Sequence, residues 1–148
     1  MTADATRRRR VLAVDDEPSV TLLVSRVLQR AGFDVVTAGS GEEALEVARR
    51  TPPDLLIVDK NLPRMNGFEL LKRVRTLYPS VPVIIITAAP EPFSAMNERV
   101  DGYLAKPFKS LDALRDAVHQ AFERQRVAQE RQDLQRKLDE VMAQLRRP

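Results

Sequence analysis

Two short runs, Leu55 to Val58 and Pro82 to Ile86, are apolar and β-branched at nearly every position. A strand with one wet face alternates apolar and polar residues. A strand that does not alternate is buried on both faces, as in a parallel sheet covered by helices on either side. Three further apolar segments, Val11 to Val14, Phe33 to Ala38 and Gly102 to Ala105, read as companion strands. Parallel strands need crossover connections, and the chain supplies helical patterns between them. Val20, Leu23, Val24, Val27 and Leu28 recur at spacings of three and four, and Gly32 follows where a helix C-terminus wants glycine. Ser40 with Glu43 forms a capping box ahead of Ala44, Leu45, Val47 and Ala48, and Pro52-Pro53 stops that helix. Asn66 with Glu69 opens a third helix bearing Leu70, Leu71, Val74, Leu77 and Tyr78. Residues 88–99, with Pro90 and Pro92, leave room only for a short helix, and Ser110 caps the last one. Five β-α repeats call for a doubly wound α/β domain with right-handed crossovers.

The last helix outruns that domain. No glycine or proline interrupts Leu111 to Arg147, so a helix of about 55 Å is possible at ~1.5 Å per residue. Leu111, Leu114, Val118 and Phe122 form a stripe suited to dock on a sheet. Continued past residue 123, that stripe meets the polar Gln125 and Gln129. A second one takes over at Val127, Leu134, Leu138, Val141 and Leu145. With Arg124 and Arg131 it follows the alternating steps of a coiled-coil seam. Asp133–Lys137 and Arg136–Glu140 have the spacing of supporting ion pairs along the helix. The expected organisation is a basic leader at 1–8, a domain at 9–123 and a helical coiled-coil extension at 124–148, with a homodimer through residues 124–147.

Composition removes several classes of chemistry. There is no cysteine, hence no disulfide framework, thiolate metal site or cysteine nucleophile. A single histidine, His119, leaves a serine-histidine triad or a multi-histidine zinc site unsupported. Lys and Arg number 24 against 21 Asp and Glu, so the chain lacks the basic excess of a nucleic-acid-binding domain. Arg7 to Arg10 form the one dense cationic run and read as a solvated leader before the first strand. No segment approaches the ~18 apolar residues of a membrane span. The expectation is a soluble, cytoplasmic protein with no membrane among its partners; nucleic acid is disfavoured as a partner by the near-neutral charge balance, with a transcription regulator using Arg7–Arg10 as the rival reading.

In an open parallel sheet the chemistry collects at the carboxyl ends of the strands. Here those ends carry Asp15, Asp16 and Glu17 after the first strand and Asp59 after the third. Thr87 follows the fourth, and Lys106-Pro107 the fifth. Clustered carboxylates need a cation, because two unit charges ~4 Å apart repel by about 4 kcal/mol at an effective dielectric of ~20. An all-oxygen donor set open to water and phosphate selects a hard ion such as Mg²⁺. A carboxylate beside that ion can attack phosphorus to form an acyl phosphate, with lysine and hydroxyl stabilising the transferred oxygens.

Val14-Asp15-Asp16-Glu17-Pro18, the stretch from Asp59 through Gly67, Ile86-Thr87-Ala88 and Tyr103 through Phe108 occur in that order. Over roughly residues 8–122 the chain thereby resembles the receiver domain of two-component response regulators. The resemblance implies a flavodoxin-like five-stranded sheet of order 2-1-3-4-5. It implies that Asp59 accepts phosphate from a sensor histidine kinase or phosphotransfer protein. Mg²⁺ would be held by Asp15, Asp16, Asp59 and the Asn61 backbone carbonyl. Lys106 would pair with the phosphate, Thr87 would hydrogen-bond to it, and Tyr103 would be the aromatic whose rotamer follows Thr87. A cis Lys106–Pro107 bond is also implied. Such a protein acts as an enzyme only on itself, in its own phosphorylation and dephosphorylation, and signals to a downstream effector protein by contact. Only 18 residues separate Thr87 from Lys106, a few fewer than the family usually has. A constitutive scaffold with a non-switching receiver is therefore an alternative reading, as is the N-terminal regulatory part of a longer effector. Lys60 is read as solvent-facing, and His119 as a surface residue beside the helix stripe.

Overall fold

The computed structural model describes residues 8–88 and 99–146. The element order is β1 (Arg10–Val14), α1 (Pro18–Arg30), β2 (Asp34–Ala38), α2 (Gly41–Arg50) and β3 (Leu55–Asp59), then α3 (Gly67–Leu77), β4 (Val83–Thr87), β5 (Gly102–Ala105) and α4 (Leu111–Leu145). The five strands form one sheet of order β2-β1-β3-β4-β5, and every pairing is parallel. This is the flavodoxin-like order that the resemblance implied. The short helix expected within 88–99 falls largely on residues outside those described.

Alternate side chains of the central strands feed two separate cores. Leu12, Val14, Leu56, Val58, Val83 and Ile85 face α2 and α3. Val11, Ala13, Leu55, Ile57, Ile84 and Ile86 face α1 and the first part of α4. β3 and β4 are buried at all five positions, as expected for strands covered on both sides. At the sheet's edge β5 is only half-buried.

The helix caps carry the sequence signals with one change of partner. Ser40 Oγ accepts from the Glu43 backbone N–H at 3.1 Å, but the Glu43 carboxylate accepts from Gly39 N (3.0 Å). Asn66 Oδ1 and Ser110 Oγ accept from Glu69 N and Ala113 N in the same way. Gly32, just past α1, has φ +99°, a conformation that only glycine adopts without strain. Two apolar expectations are not met: Leu77 and Leu111, placed on buried stripes, are 40% and 49% exposed. Each is a terminal residue of its helix, Leu77 the last of α3 and Leu111 the first of α4.

The arginine run is less of a leader than its composition implies. Arg10 starts β1, its N–H donating to Asp54 Oδ2 at 2.7 Å. The Arg9 guanidinium stacks over the Phe122 ring, 4.4 Å from its centroid. A planar cation over an aromatic face gains quadrupole attraction while staying hydrated. Contacts at the other boundary also pass residue 123: Arg124 donates to Asp101 O (2.8 Å) and Gln125 to Ser80 O (3.0 Å). On the helix beyond, Arg136 turns back to Asp133 instead of forward to Glu140.

Candidate functional site: an acidic pocket closed by a lysine

β1, β3, β4 and β5 bring their carboxyl ends to one edge of the sheet, where Asp15, Asp59, Thr87 and Lys106 meet. Asp15, Asp59 and Thr87 are the buried polar residues among those described, at 2%, 5% and 2% exposure. Lys106 closes the pocket. Its Nζ lies 2.7 Å from Asp15 Oδ2, 2.9 Å from Asp59 Oδ2 and 3.0 Å from Glu17 Oε1. The Lys106–Pro107 bond is cis.

Backbone N–H groups hold the other carboxylate oxygens. Asp15 Oδ1 accepts from Glu17 N at 2.9 Å, and Asp59 Oδ1 from Asn61 N at 3.0 Å. Each aspartate thus bonds the chain two residues on, a turn typical of Asp, and its second oxygen is left to face the pocket. Lys106 N donates to Thr87 O (2.9 Å), and Lys60 N to Ile86 O (2.9 Å), so the strand ends are tied across the pocket floor.

Charge is unevenly balanced here. Burial drives the Asp15 pKa above the ordinary carboxylate value; Lys106 and the Glu17 N–H pull it back, and Asp59 adds to the rise. Burial alone would depress the Lys106 ammonium, yet its three carboxylate partners together hold it above its usual value. Tyr103, half-buried beside the α2–α3 core, has its phenol pKa raised by burial.

Asp15, Asp16, Glu17 and Asp59 each offer an oxygen within 4.8 Å of the others. Asp15 Oδ2 is buried and contacts the ammonium at 2.7 Å without the direction of a hydrogen bond, so it has no hydrogen-bond donor of its own. That donor set suits a hard, oxygen-seeking divalent cation. It includes Glu17, which the site expected from sequence left out although the residue stands in the same acidic run.

A second omission is Gly67. A Cβ there would lie 2.5 Å from Asp59 O and 3.0 Å from Lys60 Cα, and its N–H bonds Lys60 O at 2.9 Å. The start of α3 is therefore pressed against the backbone of Asp59, an approach open only to glycine. Arg64, in the connecting loop, has φ +67° and pairs with Glu42 at 3.2 Å.

The response regulator receiver domain profile matches residues 11–119. The chain belongs to the response regulator receiver domain family. Among curated receivers, it is 39% identical over 103 residues to the alkaline phosphatase synthesis transcriptional regulatory protein PhoP of Bacillus subtilis, covering 68% of this chain and 43% of that protein. It is 35% identical to sporulation initiation phosphotransferase F of the same organism, covering 74% of this chain and 90% of that one. The chain thus spans less than half of the first relative and most of the second. Among solved structures, the Vibrio cholerae chemotaxis protein CheY4 superposes with a TM-score of 0.71 at 36% identity, covering 78% of this chain and 99% of that one. NtrX from Brucella abortus reaches 0.79 at 28% identity, covering 86% of this chain and 30% of that one. This receiver has no helix long and apolar enough to cross a membrane among its described residues.

Proposed function

We propose that this receiver accepts a phosphoryl group on Asp59 from the phosphohistidine of a sensor kinase or phosphotransfer protein and passes the resulting state on to an effector protein. One observation carries this: a buried aspartate, Asp59, shares a lysine with a second buried aspartate at the open ends of four parallel strands. In the transfer an Asp59 carboxylate oxygen attacks phosphorus, the P–N bond breaks, and the imidazole leaves and takes up a proton. Lys106 then exchanges a carboxylate partner for phosphoryl oxygens, and Thr87 is the hydroxyl that hydrogen-bonds them. Tyr103, two residues along β5 from Ala105, is the aromatic that follows Thr87.

Asp15, Asp16 and Asp59, with the Asn61 backbone carbonyl, would hold Mg²⁺, and Glu17 extends that set. Bound there, Mg²⁺ supplies positive charge against the carboxylates and the incoming phosphoryl oxygens. Val20, Leu23, Pro107, Phe108 and Leu111 line an apolar groove of about 680 Å³ that borders Lys106, a surface on which a donor protein can rest while its histidine reaches Asp59. Residues 124–147 are the element through which the chain pairs with a second copy. The proposed domain limits are 9–123 for the receiver, with Arg124 and Gln125 still bonded to it, and the extension beyond.

Incubation with acetyl phosphate and Mg²⁺, read on a phosphate-affinity gel, should give one shifted species that hydroxylamine removes. Asp59→Asn should abolish the shift and keep the fold. Hydroxylamine-sensitive labelling that persists in Asp59→Asn would overturn the assignment.

A further inference from the structure

Six of the nine large hydrophobic residues that are exposed among the described residues lie on one stretch of α4: Val127, Leu134, Leu138, Val141, Met142 and Leu145. The helix is continuous through them. At about 100° per residue, the seam of Val127, Leu134, Leu138, Val141 and Leu145 falls roughly half a turn from the docked face. That docked face is made by Leu114, Val118 and Ala121, all buried, and by Gln125, which bonds Ser80 O at 3.0 Å. The apolar seam therefore points away from the receiver that the helix belongs to, and among the described residues nothing in this chain covers it.

The exit of the helix is fixed. Arg124 donates to Asp101 O at 2.8 Å. The Asp101 carboxylate in turn accepts from Val83 N (2.8 Å) and pairs with Arg75 (3.4 Å), both of these side chains being largely buried. Arg9 stacks on Phe122 from the other side. The heptad count assigns Arg124 to the seam, but the clasp turns it onto the receiver, so the seam begins at Val127. Phe122 packs on Phe33 and Arg9, which precede β2 and β1, whereas α4 starts near Lys106. The extension consequently leaves from the end of the sheet opposite the Asp59 pocket.

We propose that residues 127–145 form a parallel two-stranded coiled coil with a second copy of this chain, the two receivers lying outside the coil with both Asp59 pockets open. This rests on the self-association proposed above and gives it a face, a direction and a starting point. The occupant is a second copy because Val127, Arg131, Leu134, Leu138, Val141 and Leu145 alternate in steps of four and three, a pattern that complements itself. In the parallel arrangement each Glu130 lies beside the other chain's Arg131, compensating the one cation in the seam. The antiparallel alignment that keeps all six residues paired sets the two Lys137 side chains together. The docked half of α4 also removes the nucleation cost that makes short isolated helices marginal.

The chain has no cysteine, so Val127→Cys and Leu145→Cys can each be introduced as the sole thiol. Under mild oxidation each variant alone should give a covalent dimer. Covalent dimers formed only on mixing the two variants would mean an antiparallel coil and overturn the proposal. So would the absence of covalent dimer together with a monomer mass by light scattering of the wild type across a wide concentration range. The oxidised dimers should take phosphate from acetyl phosphate to the wild-type extent, and labelling lost on oxidation and regained on reduction would overturn the outward placement of the receivers. Leu134→Asp with Leu138→Asp should give a monomer that still labels. Failure of Asp59 to label in this monomer and in the wild type alike would count against the phosphoacceptor role, while the cross-linking result would stand independently.

Discussion

The two halves of α4 share one unbroken hydrogen-bond ladder and have opposite surroundings. In the first half Leu114, Val118 and Ala121 are fully buried; in the second Leu134 is 66% and Leu145 75% exposed. Burying a leucine is worth ~1.5–3 kcal/mol, so tertiary packing holds the first half in place. The second half is stitched by local pairs instead: Arg126 with Glu123 and Glu130, Gln129 with Asp133, and Gln135 with Asp139. Such pairs contribute ~0.2–0.5 kcal/mol each, and the ion pairs among them are screened by salt. Helix formation and helix docking are thus separate achievements, reached in this chain by different residues.

The contrast is broken most directly by matched truncations. Leu114→Ala should destabilise the receiver by ~2–5 kcal/mol, as for other fully buried leucines, while Leu134→Ala should leave it within ~0.5 kcal/mol. Urea unfolding followed by a probe in the receiver checks both, and equal losses would mean that the tail packs on the domain. At the pocket end of the same helix, Lys106→Ala leaves Asp15 and Asp59 buried without their cation. The expected cost is ~3 kcal/mol in the absence of divalent ions. Saturating Mg²⁺, the ion proposed for this pocket, should recover much of it by mass action, since removing the ammonium takes away a competing positive charge. Melting curves with and without Mg²⁺ read this.

Gly67→Ala is the next effect in size. Its Cβ would meet Asp59 O, so α3 must shift at a cost of ~1–3 kcal/mol, and the rate of labelling by acetyl phosphate should fall with it. Gly41→Ala provides the comparison, because the Cβ there meets the flexible Met65 side chain at 2.7 Å and leaves Asp59 untouched. Arg124→Ala removes one hydrogen bond, worth ~1 kcal/mol, from the root of the tail. Faster amide exchange at residues 123–127 with an unchanged pocket would place its role at the helix exit. Ending the chain after Arg126 should change receiver stability least, within ~0.5 kcal/mol.

Much of this architecture was legible in the linear order of residues. The unbroken apolar runs at 55–58 and 82–86 required a sheet covered on both sides, and Ser40, Asn66 and Ser110 marked helix starts that the structure keeps. The acidic and lysine residues at the strand ends pointed to one pocket because a parallel sheet places all its carboxyl ends on the same edge. These are local or topological properties: a cap needs three neighbouring residues, and a strand direction needs only the crossover. Other features had no such signal. Glu17 stands in the acidic run that the sequence shows, but its pairing with Lys106, 89 residues on, is decided only by packing. Gly67 looks like any helix-start glycine until Asp59 is set against it. Arg9 resembles a solvated leader residue until Phe122 arrives beneath its guanidinium. Asp101, between the 89–98 segment and β5, gains its significance only when Arg75, Val83 and Arg124 converge on it. Periodicity states which residues share a face, because it is a property of one helix or strand. Which faces meet, and which cation ends between which carboxylates, depends on contacts between residues far apart in the chain, and only the packed fold supplies those.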